Sequence, residues 1–429
     1  MIKNDECLLT VQCTSYNFAE YLEDCFEGFL SQKTDFRFKV VVFDDASTDG
    51  SQDIIKKYVE KYPEMFIACL AETNTYGKPE RIRLLNQLYE KEYEGEYVAF
   101  CEGDDYWCDP FKLKKQVEFM KNNPDCSLSV HASRWIDYKK GCEYSFHPYS
   151  ENRYLTAEEI ILQQGGNPST ASQVFRMRDL IFDDSFHLKN GGGDYIRQLY
   201  QLSKGKVYYF DDEMSVYRFS HPGSWTDRNE KDVELEMRHR FEMYDFLEFY
   251  DEYTGGDYHE WIVEKQNNYM YDPFLLDDSI PMNDYYDMLI ELPFVSKENI
   301  ERYRQGRQRI GSIVRGEYTV DSELLRFFEG FDHVFMYGCG EYAGYLRKML
   351  DTNMIDFEGY LISDNQDTID PIDGKSVWRL FECPYELDKS LIIIGVGPKI
   401  GSIVKKNLAK QRIGGIISPF DFRGIDYEK

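Results

Sequence analysis

Five apolar residues, Tyr97-Val98-Ala99-Phe100-Cys101, run straight into Glu102-Gly103-Asp104-Asp105. An unbroken apolar run of that length suits a strand covered on both faces, the usual setting of a parallel sheet wrapped by helices. Carboxylates packed so tightly repel one another unless a cation or a set of donors sits among them. In open α/β sheets, ligands bind beyond the carboxyl ends of the strands. The stretch therefore predicts a divalent-metal site at a strand end, placed to manage phosphate charge.

The preceding chain repeats the arrangement. Cys7 to Cys13 reads as a buried strand broken by Thr14-Ser15-Tyr16-Asn17, and Phe18 to Leu30 has helical spacing. Lys39 to Phe43 predicts a second strand that stops at Asp44-Asp45; a helix to Lys61 follows, with Ser47 or Asp49 as its cap. Met65 to Leu70 predicts a third strand, and Glu80 to Glu92 a helix. Strand–helix alternation implies a mostly parallel sheet with right-handed crossovers. Asp109-Pro110 predicts a helix start, Leu113, Val117 and Met120 its apolar face, and Asn123-Pro124 its stop. Taken singly, each acidic loop reads as a solvated turn with helix caps. Two of them at the ends of neighbouring buried strands point to a ligand.

Composition sets outer limits. The 429 residues allow two or three domains, and 42% hydrophobic with 16% aromatic residues indicates a folded chain. A net charge of −27 disfavours nucleic acid and anionic membrane surfaces, so a phosphate ligand needs a local metal or helix N-termini. The ten cysteines form no C-x-x-C pair, which argues for reduced thiols in a cytoplasmic setting. Neither a signal-peptide core nor an apolar run of membrane-spanning length is expected.

Six stretches occur in a telling order: VQCTSYNFAEYLEDCFEGFLSQ, VVFDDASTDGSQDI, Arg81 to Asn86, EYVAFCEGDDYWCDP, GGGDYIRQL and MSVYRFSHPGSW. Through Trp225 the chain thereby resembles family 2 glycosyltransferases of the GT-A fold. The EGDDYW-x-DP form resembles bacterial members that build capsular, exopolysaccharide or lipopolysaccharide glycans. The resemblance implies an inverting, metal-dependent transfer from a nucleoside-diphosphate sugar, UDP-linked, to a hydroxyl of a glycan or lipid-linked acceptor. It implies Mn²⁺ or Mg²⁺ as cofactor. It also implies a cytoplasmic bacterial location, with room for peripheral association with membrane-bound glycan machinery and for a homo-oligomer.

By position, Thr14, Tyr16 and Asn17 match the nucleotide loop, and Asp45 matches the carboxylate that accepts from the nucleoside. Arg81 or Arg83 stands where the family often has a basic residue near the nucleotide. Glu102, Gly103 and Asp104 occupy the DxD position with Glu in place of its first Asp. Asp104 is then the metal ligand, Glu102 faces the ribose or a metal-bound water, and Asp105 faces sugar or acceptor. Asp194 in Gly191-Gly192-Gly193-Asp194 matches the catalytic base, although alone it reads as a helix cap. His221 and Arg218, in the closing loop, are expected near the diphosphate or metal.

Residues 133–168 are harder to read: Tyr144 to Tyr154 is expected to be a loop, and Thr156 with Glu159 a capping box. The expected organisation is a transferase domain over 1–226, a helical linker over 227–331 and a Rossmann-like domain over 332–429. The last carries Gly338, Gly340 and Ala343 in G-x-G-x-x-A spacing, with Asp364 where a ribose-binding acid would stand. An NAD-dependent or nucleotide-sensing enzyme centred there, and a non-catalytic nucleotide-sugar scaffold, are the competing readings.

Overall fold

The computed structural model describes residues 7–76, 78–163, 168–182, 186, 193–270, 297–363, 370–396, 404–405, 407–419 and 426–428. The expectations for Gly191, Gly192 and Asp364, and for most of the tyrosine-rich stretch 269–288, fall outside them. The chain divides into two compact units: Met1–Glu236 with Tyr250–Trp261, and Met237–Phe249 with Ile262–Lys429.

In the first unit, strands Cys7–Ser15 (β1), Arg37–Asp44 (β2), Phe66–Leu70 (β3) and Tyr97–Glu102 (β4) alternate with helices Leu22–Leu30 (α1), Ser51–Lys61 (α2) and Pro79–Glu92 (α3). The four strands are parallel neighbours in the order β3-β2-β1-β4. Their register brings Ser15 opposite Asp44 and Thr14 opposite Glu102, so β1, β2 and β4 end at one level. Both acidic loops therefore leave the same edge of the sheet.

The chain continues through Tyr106–Trp107 (β5), Lys112–Asn122 (α4), Cys126–Asp137 (β6), Cys142–Phe146 (β7), Arg153–Leu155 (β8), Ala157–Leu162 (α5), Val174–Arg176 (β9), Asp194–Lys204 (α6) and Lys206–Phe219 (β10). β9 is antiparallel to both β4 and β6, whereas β10 runs parallel to β6. The fold class is thus α/β with a mostly parallel sheet, as the alternation implies.

One apolar cluster joins Val11, Cys13, Val40 and Val42 of the sheet to Phe26 and Phe29 of α1 and to Trp107. Each such side chain, fully buried, contributes about 1.5–3 kcal/mol. A charge lies in the same interior. Lys112 is inaccessible to solvent, its Nζ donates to Gln116 Oε1 at 2.8 Å, and it sits 4.2 Å over the Trp107 ring. Burial pushes its pKa down to about 7.

Several local expectations change. Gly50, in the left-handed region at φ 100°, precedes α2 in place of Ser47 or Asp49; the Asp49 carboxylate instead accepts the backbone N–H groups of Ser51 and Ala19. α4 starts after Phe111, so Pro110 is not its first residue; Asp109 accepts the Phe111 N–H at 2.7 Å. Tyr144 to Tyr154 is no simple loop, since β7 pairs with β6 and β8 with β10. The alternating Cys-Glu-Tyr-Ser-Phe pattern of β7 carried that signal. The capping box at Thr156 and Glu159 is present.

In the second unit, His333–Tyr337 (β11), Gly359–Ile362 (β12), Ser376–Arg379 (β13), Ser390–Ile394 (β14), Gly415–Ser418 (β15) and Asp426–Glu428 (β16) form a sheet in the order β13-β12-β11-β14-β15-β16. All pairings are parallel except that of β16. A helix over Glu341–Thr352 follows β11. Gly338 has φ 94°, and a Cβ there would meet the Val396 side chain at 2.5 Å. Close packing of β11 against the end of β14 is thus enough to require glycine, without a ligand.

Candidate active site

The loops after β1 and β2 are laced together by side chains. Asn17 takes φ 58°, a conformation Asn tolerates, and its N–H donates to Ser47 Oγ while its Oδ1 accepts from Thr48 N–H, each at 2.8 Å. Asp44 is fully buried and accepts from the Ser47 N–H and Gln52 Nε2, each at 2.9 Å. Tyr16 is left exposed at the rim, while Thr14 receives the Gly103 N–H on its carbonyl at 2.8 Å. A Cβ on Gly103 would meet Leu22 at 2.9 Å and the Thr14 carbonyl at 3.3 Å, so this approach also demands glycine.

Asp45 is buried with both oxygens engaged. Oδ1 accepts the N–H and hydroxyl of Thr75 at 2.8 and 2.7 Å, and Oδ2 meets Arg81 at 2.8 Å. The two arginines differ in their surroundings. Arg81 reaches Asp45 and lies over the rings of Phe43 and Tyr76. Arg83, two residues on and so about 200° around the helix, is exposed.

At the end of β4 the carboxylates of Glu102, Asp104 and Asp105 lie within 4.8 Å of one another. Asp104 Oδ1 and Asp105 Oδ2 are both buried without a hydrogen-bond partner. Uncompensated buried oxygens are costly, and a hard cation held by oxygen ligands satisfies several together. The donor set thus fits Mg²⁺ or Mn²⁺. Desolvation, then Asp104 and Asp194, push Glu102 up to about 8, although its side chain opens to solvent. Desolvation and Asp104 likewise hold Asp105 well above the usual carboxylate range.

His221 is buried among Phe18, Tyr21 and Tyr138, with Nε2 2.8 Å from Asp104 Oδ2 and Nδ1 3.2 Å from the Pro222 carbonyl. Nε2 is thus the ring nitrogen turned to the acidic cluster. Arg218 does not present a free guanidinium to a phosphate. It lies between the rings of Tyr21 and Tyr106, donates to the Asp104 carbonyl at 2.6 Å, and pairs with Asp24 of α1. Its backbone N–H holds Asp105 Oδ1 at 2.9 Å. It is a staple beneath the loop, which the sequence offered only as part of a closing segment.

Asp194 is the first residue of α6, with Gly193 in the capping position. Its Oδ1 accepts the Tyr195 N–H at 2.8 Å, and Oδ2 accepts the Thr170 hydroxyl at 3.3 Å. The same hydroxyl faces Glu102. Desolvation raises the Asp194 pKa above its ordinary value. The structure therefore gathers Glu102, Asp104, Asp105, His221 and Asp194 at one crevice, with Asp45 and Arg81 beside the adjoining loop. Gly338 and Gly340 belong to the second unit. Thr170 and Tyr217 are residues near the acidic cluster to which the sequence reading assigned no part.

A mostly parallel sheet with acidic groups at its carboxyl edge is the arrangement expected of a GT-A domain. Residues 10–182 match the family model described as Glycosyl transferase family 2. An uncharacterized protein of Mycobacterium tuberculosis is 33% identical over 225 residues, which is 51% of this chain and 62% of that one. TuaG of Bacillus subtilis, named for teichuronic acid biosynthesis, is 30% identical over 183 residues, 43% of this chain and 58% of its own. The chain thus spans about three fifths of the curated relatives it matches. A crystal structure of S. aureus TarS 1–349 with UDP-GlcNAc aligns at TM-score 0.43 and 17% identity, covering 72% of this chain and 93% of that one. Among the described residues no helix is long and apolar enough to cross a membrane.

Proposed function

We propose that the chain is an inverting glycosyltransferase that moves a sugar from a UDP-linked donor to a hydroxyl of a glycan or lipid-linked acceptor in cell-surface polysaccharide synthesis. The carrying observation is the opposition of two acidic groups across one crevice. Glu102, Asp104 and Asp105 stand on one side, Asp104 and Asp105 each with one unpartnered oxygen, and Asp194 stands on the other at the start of α6. The name of TuaG favours a polysaccharide acceptor.

Asp45 and Arg81, with the Thr14–Asn17 loop, hold the nucleoside; Arg83 plays no part in this assignment. Asp104 and Asp105, with His221 Nε2, hold Mn²⁺ or Mg²⁺, and Glu102 faces the ribose or a metal-bound water. The ion when bound offsets the negative charge of the departing diphosphate. Asp194 accepts the proton of the acceptor hydroxyl as the new bond to the anomeric carbon forms. Its raised affinity for protons suits that task, and Thr170 fixes the carboxylate plane. The division into a transferase domain, a helical linker and a Rossmann-like domain, the cytoplasmic location and peripheral membrane association belong to the same proposal.

The test is a screen of UDP- and GDP-sugars for hydrolysis and for transfer to simple glycosides, with Mn²⁺, Mg²⁺ or EDTA. Metal-dependent turnover of one donor supports the reading. Absence of binding to every nucleotide sugar with either metal refutes it.

A further inference from the structure

Tyr217 lies where both halves of the crevice meet. β10 pairs antiparallel with β5 through Val216 opposite Tyr106, which brings Tyr217 alongside Asp105. On its other side β10 pairs with β6, and Tyr217 is opposite Trp135. The Tyr217 ring meets Trp135 edge-on at 4.9 Å between centroids and Phe219 at 6.2 Å, so packing holds the ring from the side. Its hydroxyl lies within electrostatic reach of the acidic cluster. The groups that act on it electrostatically are the carboxylates of Asp105, Glu102, Asp194 and Asp104, the same four acids that frame the site.

The hydroxyl forms no hydrogen bond with any described residue, and it is not one of the buried polar atoms cut off from solvent. It is therefore a reachable donor that the protein itself does not use. Burial and the four acids keep it protonated at neutral pH. A free phenol O–H beside a cluster of carboxyl groups suits a ligand rich in hydroxyl and ether oxygens. A pyranose fits that description, with ring and hydroxyl oxygens that accept and hydroxyls that donate to the acids.

We propose that Tyr217 is a sugar-contacting residue, donating its phenol O–H to an oxygen of the pyranose held between Asp194 and the Glu102–Asp105 cluster. This rests on the glycosyltransferase reading above. The pyranose belongs to the donor or to the acceptor, and the two sources give different kinetic signatures.

The experiment compares the wild-type chain with Tyr217→Phe, which removes one oxygen. It measures thermal stability, calorimetric affinity for UDP and for the active UDP-sugar with Mn²⁺, donor hydrolysis, and transfer to a nitrophenyl glycoside. Stability and UDP affinity are expected to stay within about twofold of wild type. A donor contact lowers UDP-sugar affinity or hydrolysis about tenfold together with transfer. An acceptor contact lowers transfer about tenfold and spares hydrolysis. Unchanged hydrolysis, transfer and affinities overturn the assignment. So does a parallel loss of stability and UDP affinity, which marks a packing role. If the wild-type chain binds no nucleotide sugar at all, the glycosyltransferase reading itself falls, and this assignment falls with it.

Discussion

The Thr170 hydroxyl lies 3.3 Å from Asp194 Oδ2 and also faces Glu102. One hydroxyl thus lies between the acid at the start of α6 and the acid that ends β4. Asp194→Asn is expected to keep Mn²⁺-dependent UDP binding and to lower transfer by about 10²–10⁴-fold, the usual size of a lost general base. Thr170→Val is expected to have a smaller effect on transfer and none on UDP binding. Steady-state kinetics and calorimetry with both variants check this; near-normal transfer by Asp194→Asn would assign the proton to another group.

Proton linkage gives a second prediction. Glu102 is pushed up to about 8 and Asp105 is raised, chiefly by desolvation and by Asp104. A cation competes with the protons on these groups, so binding releases protons. Affinity for Mn²⁺ in the presence of UDP should therefore rise from pH 6 to 8 and level off above about 8. Calorimetry at pH 7 in buffers of different ionisation enthalpy should register net proton release. A flat affinity over that range counts against these carboxylates as ligands.

Arg218 ties the Asp104 carbonyl, the Asp105 carboxylate and Asp24 to one residue of β10. Arg218→Met is expected to destabilise the protein by about 1–3 kcal/mol, because the Asp104 carbonyl loses its charged donor. It should also weaken Mn²⁺-dependent UDP binding. Arg218→Lys should restore little, because a point ammonium cannot reach two acceptors while stacked between two tyrosine rings. Chemical denaturation paired with UDP titration checks both effects.

Lys112 provides a pH signature of stability. Its ordinary pKa of 10.5 falls to about 7 in the fold, mainly by burial. Below pH 7 both folded and unfolded chains carry the charge, and the fold bears its full desolvation cost. Between pH 7 and 10.5 the folded state sheds the proton that the unfolded state keeps, so this contribution to stability rises with pH. Lys112→Met is thus expected to be more stable than wild type at pH 6.5, by on the order of 5 °C in melting temperature. The gap should close toward pH 9.5. Melting curves of both proteins across that range decide it.

The buried strands were legible because β2 and β4 carry continuous apolar runs that stop at acids, and β1 a largely apolar one that stops at a polar turn. The half-buried strands were not. β10 contains Asp211-Asp212-Glu213 at a register shift between Phe210 and Ser215, which breaks the two-residue period. Glu102 and Asp194 were visible as residue types in a known order, but their meeting through Thr170 depends on β9, a three-residue strand with a weak local pattern. Arg218 was expected near the diphosphate or metal, but its pairing was not legible, because its partners lie far away in sequence at Asp24 and Asp104. Arg81 and Arg83 differ only by the side of a helix they occupy, and the pairing of Arg81 with Asp45 makes the distinction.

The reversed direction of β9 has a further consequence. Because β9 is antiparallel to β4 and β6, its entrance, not its exit, lies at the edge where the neighbouring strands end. Thr170 reaches the crevice from the segment that leads into the sheet. The chemistry on that side is therefore attached to a connection that grows or shrinks without shifting β1, β2 or β4. A scaffold wired in this way permits one half of a reaction to diversify by loop exchange while the other half keeps its geometry.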